Sequence, residues 1–275
     1  MKRVAIYMLL LLAVVVAGIA GMRLVSFREE PRKIAELAVA GGFWGAREKY
    51  EYYSDGAISF KGRTGQGSFT VPHSIVEEMA KRVSFLLEVY PRGLMLEPGG
   101  GADYFTYNLT LYSGDFPVSY YWTDVGEQPP REITYLYQLL REVNLLASSR
   151  RGVVFYLKVD KLNFSKGETV RIVAVAVNPG EVDFKYLSPT PCTPDFKVQL
   201  RTPSGREVEL FPVGYDPEKI CVQVVQERVL KTGEVVQSEY EYVASESGTY
   251  TVEAHFPYAE WSETRHSSVL ELLVP

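Results

Sequence analysis

The chain has 275 residues, a formal net charge of −5 and an isoelectric point near 5.4. It lacks the basic face and the long basic run that a binder of phosphate backbones needs. A hydrophobic fraction of 46% and a charged fraction of 23% exclude a wholly disordered chain and leave enough apolar side chains for a core.

Met1-Lys2-Arg3 precedes an uninterrupted apolar run, VAIYMLLLLAVVVAGIAG, over residues 4–21. At about 1.5 Å per residue, such a run just crosses a ~30 Å hydrocarbon layer. Residues 1–24 are therefore expected to be a signal-anchor helix or a signal peptide. Gly18 and Ala20 supply small residues at −3 and −1 for cleavage, whereas the length of the run favours an anchor. Lys2 and Arg3 hold the N-terminus inside, so the C-terminal body is expected outside, as a single-pass membrane protein or a secreted one.

Residues 22–32 read as a polar spacer. From Lys33 to Tyr53 the pattern is strand, turn, strand, with the turn at Gly41-Gly42-Phe43-Trp44-Gly45, and AISFKGR continues past a turn at Ser54-Asp55-Gly56. Pro72 opens a helix whose buried face is Ile75, Val76, Met79, Val83, Leu86 and Leu87, and Pro91 stops it. A Gly-rich loop, Pro98 to Gly101, leads to two strands, DYFTYNLTLY and PVSYYWTD. Pro129-Pro130 starts a second helix with Ile133, Leu136, Leu140 and Val143 inward. The expected order is β-β-β-α-β-β-α, an α+β domain over residues 33–148 with an antiparallel sheet and two helices.

Ser148 to Gly152 reads as a linker. Beyond it helical periodicity disappears. Eight strand-like runs follow: VVFYLKVDKLNF, TVRIVAVAVN, FKVQLRT, EVELFPV, CVQVVQERV, SEYEYVA, GTYTVEAHF and SVLELLV. Their spacing predicts an all-β sandwich over residues 152–275. TVRIVAVAVN, apolar at alternate positions and small between, suits a central strand.

Catalytic signatures are missing. His73, His255 and His266 have unlike surroundings; no GxSxG elbow, P-loop or GxGxxG before a helix occurs, and the carboxylates are scattered. The chain reads as no enzyme, with no cofactor, no metal and no nucleic acid. Cys192 and Cys221, an even count in an exported chain, suggest a disulfide, with a pair of buried thiols as the other reading. Asn108-Leu-Thr and Asn163-Phe-Ser are glycosylation sequons, the first in mid-strand.

Two stretches carry family resemblances. Gly41, Gly42 and Gly45 around Phe43 and Trp44, with Arg47, then the strand beginning Asp103-Tyr104 and containing Tyr107, then the Pro-Pro-opened helix, resemble the emfourin family over residues 33–147. In that family the turn is GGF-[AT]-G, so Trp44 stands where a small residue is usual, and Ala102 stands where Pro is common. Phe164 to Asn178, with Gly167-Glu168 before a long strand, and the late turn Ser247-Gly248-Thr249-Tyr250-Thr251-Val252 resemble the BsuPI-type proteinase inhibitor domain, an immunoglobulin-like β-sandwich, over residues 153–256. Both resemblances imply inhibition of peptidases, with a rigid loop filling an active-site cleft. Phe43 and Trp44 are the candidate peptidase-contacting residues, and the expected partners are a peptidase or another envelope protein, and the membrane through the N-terminal segment. The competing expectation is a non-inhibitory envelope binding module.

Overall fold

A computed structural model describes residues 30–275, apart from 44, 64, 100–102, 114–115, 149–151 and 263–264. The apolar segment at residues 4–21 lies outside the described residues. Among the described residues no helix is long and apolar enough to cross a membrane.

Among the described residues the protein is β-rich, with several sheets and two helices. The first half holds strands β1 (Lys33–Gly41), β2 (Ala46–Tyr53), β3 (Ala57–Gly62) and β4 (Gly65–Thr70), helix α1 (His73–Val89), strands β5 (Leu94–Met95), β6 (Phe105–Ser113) and β7 (Phe116–Thr123), and helix α2 (Arg131–Ser148). Its strands form one seven-stranded sheet in the order β4-β3-β2-β1-β6-β7-β5. The second half holds β8 (Val154–Val159), β9 (Thr169–Val177), β10 (Phe184–Ser188), β11 (Lys197–Arg201), β12 (Glu207–Leu210), β13 (Gln226–Leu230), β14 (Val235–Val243), β15 (Gly248–Phe256) and β16 (His266–Val274). These make a sandwich-like body from the sheets β14-β9-β8 and β12-β11-β15-β16, with β10 and β13 paired apart.

The helices form where periodicity places them. Ile75, Val76, Met79, Val83 and Leu86 of α1 and Ile133, Leu136, Leu140 and Val143 of α2 are all buried. They pack on Ala35, Leu37, Tyr52, Leu109, Leu111 and Trp122 of the large sheet. Three strands are additional to the expected order. Gly65–Thr70 pairs with β3 at the sheet edge and is almost wholly exposed, so no face of it needed apolar residues. β5 has two residues, and β10 five, too few for either to show a period. The strand expected to begin at Cys221 begins instead at Gln226, because Val222, Val224 and Val225 are exposed rather than buried on one face.

From Lys33 to Pro275 the chain packs as one compact unit. The sheet β14-β9-β8 is covered on both sides. Phe155, Leu157, Ile172, Ala174 and Ala176 enter the core between the two sandwich sheets. Val154, Tyr156, Val175 and Val177 enter the core of the helices and the large sheet. Both faces of β9, the middle strand, are therefore apolar, and the small Ala174 and Ala176 let the opposing sheet approach.

One buried ion pair joins these layers. Arg82 of α1 and Glu78 one turn before it are 2% and 5% exposed. The Arg82 Nε donates to Glu78 Oε1 at 2.8 Å, Nη1 to the Tyr135 carbonyl at 2.5 Å, and Nη2 to the Leu157 carbonyl at 2.6 Å. The guanidinium lies over the Tyr135 ring, 3.7 Å from its centroid. The Tyr135 hydroxyl donates to Glu78 Oε1 at 3.3 Å and accepts the Val159 N–H at 3.2 Å. Leu157 and Val159, two residues apart on β8, direct their backbone groups to one side, and β8 ends its sheet. Arg82 and Tyr135 thus satisfy a strand edge that would otherwise be bare.

A second cluster, on β1 and β2, is partly exposed. Lys33 reaches Glu51 at 2.7 Å and Glu36 at 3.0 Å, and Lys49 reaches both carboxylates at 3.1 Å. The Lys33 hydrogen bond is the chief cause holding the Glu51 carboxyl at about 2.

Two predictions follow from these clusters. Arg82→Met should cost about 3–5 kcal/mol in a denaturant titration, since it strands a buried carboxylate. The double variant Glu78→Leu/Arg82→Met should cost less than the single one; an equal or greater cost would assign the effect to the two uncapped carbonyls instead. For Glu51 the folded state favours the charged form, so its contribution is present above the unfolded pKa of ~4.3 and is lost as pH falls towards 2. Glu51→Gln should flatten the acid limb of stability in that window, measured as the urea midpoint against pH.

Candidate functional site

The turn between β1 and β2 is built on glycine. Gly41, Gly42 and Gly45 have φ of 115°, 70° and 59°. A Cβ on Gly41 would lie 2.1 Å from the Tyr104 carbonyl oxygen, and one on Gly42 would enter the Phe105 ring. Their absence lets β1 run close to β6, where Gly41 pairs with Phe105 and Val39 with Tyr107. The Gly42 N–H donates to the Tyr104 carbonyl at 3.0 Å, and the Gly45 N–H to the Gly42 carbonyl at 2.8 Å. The backbone on both sides of the tip is therefore fixed, and it carries Phe43 outward with 79% of its surface exposed. Trp44 lies outside the described residues.

Beside this turn is a groove of about 340 Å³ between the large sheet and the C-terminal half of α2. Tyr50, Phe105, Tyr107 and Tyr137 line it, with Arg141 and Asn144 at the helix side. Tyr107 stacks on Trp122 at 5.2 Å between ring centroids, and Tyr137 meets both rings edge-on at 5.4 and 5.6 Å. Such contacts hold the rings in one arrangement and leave little rotamer freedom to lose on binding. Burial raises the pKa of Tyr107 and Tyr137, and burial with the Glu48 carboxylate beside it pushes Tyr50 up to about 12. The phenols are neutral hydrogen-bonding groups at physiological pH. The Asn144 Oδ1 accepts the Tyr52 hydroxyl at 2.7 Å.

The residues singled out in the first half thus gather at one end of the sheet. Gly41, Gly42, Gly45 and Tyr104 shape the turn, Tyr107 lines the groove, and Arg47 and Asp103 are exposed beside them. Tyr137, Arg141 and Asn144 were missed in the sequence, although their spacing of four and three residues puts them on one face of α2. Attention to the buried face alone conceals them.

The residues singled out in the second half have structural work. Gly167 turns the chain with φ of 85° and donates its N–H to the Ala244 carbonyl at 2.6 Å, while the Ala244 N–H returns to the Glu168 carbonyl at 3.0 Å. Glu168 accepts the Ser165 N–H and pairs with Lys161, whose hydrogen bond lowers its pKa. Tyr250 is 2% exposed; its hydroxyl donates to the Glu246 carbonyl at 3.0 Å and accepts the Glu246 N–H at 2.7 Å. Gly248 precedes it, with a Cβ position 2.8 Å from Pro203. The Asn108 side chain is exposed on β6, and Asn163 is exposed with its Oδ1 accepting from Arg131 at 2.8 Å.

Cys192 and Cys221 are disulfide-bonded, with Cα atoms 6.1 Å apart. Among the described residues no group of three or more His, Cys, Asp or Glu is arranged to hold a metal ion.

No family model matches the chain, and no curated protein matches it. Among solved structures it is similar to the CARDB domain of the PF1109 protein of Pyrococcus furiosus, a complex with di-metal ions, at 12% identity, 46% of this chain, 89% of that one and a TM-score of 0.28. It is also similar to β-glucosidases of Erythrobacter marinus (11% identity, 45% of this chain, TM-score 0.25) and Listeria innocua (17%, 44%, 0.26). The chain spans 16% of the length of each glucosidase. Overlaps this slight define neither a shared fold nor a shared activity.

The turn geometry separates two glycine substitutions. Gly45→Ala meets open space and bears only the left-handed backbone, about 1 kcal/mol. Gly41→Ala must also displace the Tyr104 carbonyl and should cost at least ~2 kcal/mol, read as the larger drop in thermal midpoint.

Proposed function

We propose that this chain is a peptidase inhibitor displayed outside the cytoplasm, tethered or secreted through its N-terminal segment, acting by steric blockade of its target. The observation that carries this reading is Phe43, an aromatic side chain 79% exposed at the tip of a turn closed by the Gly45 N–H on the Gly42 carbonyl and tied through the Gly42 N–H to the Tyr104 carbonyl. A large apolar group held out from a rigid base offers contact area at low entropy cost, which a blocking loop requires. In this reading the first half is an emfourin-like α+β domain and the second an immunoglobulin-like sandwich of the BsuPI type. Tyr250, bonded back to the backbone of Glu246, supports the second assignment, since a tyrosine corner of this kind marks immunoglobulin-like sandwiches. The disulfide supports an oxidising compartment.

The groove favours a second reading, a non-inhibitory envelope binding module, because its fixed aromatic wall would seat a ligand without any peptidase. The two readings part in one experiment. The purified full-length protein is titrated against thermolysin-like and subtilisin-like peptidases. Stoichiometric loss of activity in one of them supports inhibition; full activity in both at excess protein leaves the binding module. Phe43→Ala should weaken the inhibition constant by roughly tenfold or more while the thermal midpoint stays unchanged.

A further inference from the structure

Two opposite charges line the groove beside the β1–β2 turn, and neither has an ionic partner. Glu48 of β2 stands on the sheet wall and Arg141 of α2 on the helix wall. Among the described residues Arg141 takes part in no ion pair and no hydrogen bond, and the Glu48 carboxylate receives only the Tyr50 hydroxyl, on Oε2 at 3.0 Å. Glu48 is half-buried and Arg141 is exposed. On the opposite face of the same sheet the charges do pair: Lys33 and Lys49 close on Glu36 and Glu51.

The strand register gives the separation of the two sides. Val39 of β1 pairs with Glu48 on one side and with Tyr107 of β6 on the other. Two strand spacings of about 4.8 Å set Glu48 and Tyr107 level and about 10 Å apart. Arg141 belongs to the Tyr107 side: burial raises the pKa of Tyr107 and Tyr137, and the nearby guanidinium opposes that rise at both phenols. Asp124 acts on the same phenols, but it lies outside the groove lining and accepts the Phe105 N–H at 2.8 Å. An extended chain advances about 3.3–3.6 Å per residue, so the ammonium and carboxylate of a peptide of two or three residues span this gap.

Other ligands fit the walls less well. A ligand of one sign meets a like charge on one of them. A wholly apolar ligand would desolvate the half-buried carboxylate without a compensating bond. The floor strand β1 is paired with both β2 and β6, so no backbone edge is open to an added strand and recognition falls to side chains.

We infer that this groove binds short peptides with free ends, the ammonium at Glu48, the carboxylate at Arg141 and an apolar side chain against the aromatic wall. The inference deepens the binding-module reading above, on which it rests, by naming the class of ligand.

The test titrates the full-length protein calorimetrically with Ala-Phe-Ala in its free, N-acetylated, C-amidated and doubly blocked forms. The free peptide should bind, and each block should weaken binding by roughly threefold or more. Glu48→Gln should abolish the effect of acetylation and keep that of amidation; Arg141→Met should do the reverse. Both variants should keep the thermal midpoint, since neither side chain holds an ion pair. No binding of the free peptide at about 10 mM would overturn the inference. Combined with full thermolysin and subtilisin activity at excess protein, that result leaves the binding-module reading standing; combined with stoichiometric inhibition of either peptidase, it overturns that reading too. Equal binding of the free and doubly blocked peptides would assign the groove to an internal segment of a longer chain and overturn the inference. Binding of maltotetraose in place of the peptide, weakened by Tyr137→Ala, would assign it to a saccharide and overturn it as well. An acetylation effect as large in Glu48→Gln as in the wild type would overturn the placement of the ammonium.

Discussion

Arg82 is the point on which the layers of this protein converge. A guanidinium without access to water needs every donor used, and here three go to partners on different elements: a carboxylate on its own helix, a carbonyl on α2 and a carbonyl on β8. Because the groups are fixed in direction, the fork sets the distance and rotation of both helices relative to the edge of the sandwich. Tyr135 completes the arrangement by serving the Val159 N–H and the Glu78 carboxylate at once. Two backbone groups of the β8 edge, the Leu157 carbonyl and the Val159 N–H, are thereby closed by side chains from another layer.

From that joint the rest of the fold follows in two directions. Towards the first half, the helices spread their apolar faces over the seven-stranded sheet, and the sheet in turn carries the β1–β2 turn and the groove. Towards the second half, β8 and β9 present a second apolar face to the opposing sheet, where Phe155, Phe196 and Phe256 fill the interior. Phe43 lies outside both cores, on a turn whose geometry is set by glycine, and Ile220 lies next to Cys221, which the disulfide joins to Cys192. Both side chains are exposed to solvent.

What could be read in the sequence was whatever burial had imprinted on it. The two helices were legible because Ile75 to Leu86 and Ile133 to Val143 keep a strict apolar face, and β9 because both of its faces are enclosed. The β4 strand was not legible, since an exposed edge imposes no pattern. The valines after Cys221 misled for the opposite reason: their alternation resembles a strand half-buried on a sheet, yet in the folded protein they face solvent. Of the site, the glycines and Tyr107 could be found through their motif, whereas Tyr137, Arg141 and Asn144 could not, being the polar flank of a helix otherwise read by its core. Arg82 and Glu78 would have passed for a surface pair four residues apart; only the fold makes them interior.

The double-faced sheet also bears on how the chain may be divided. Severed between Ser148 and Gly152, the first piece would lose Val154, Tyr156, Val175 and Val177 from its core and leave the Arg82 Nη2 without the Leu157 carbonyl. The second piece would lose Tyr135 and Phe85 from its own interior and uncover a strand edge. Each fragment would be a molecule with one wall missing. In heredity as in the test tube, then, the two halves are bound to travel together: a rearrangement that moved either one alone to another protein would have to supply a substitute for the face it left behind.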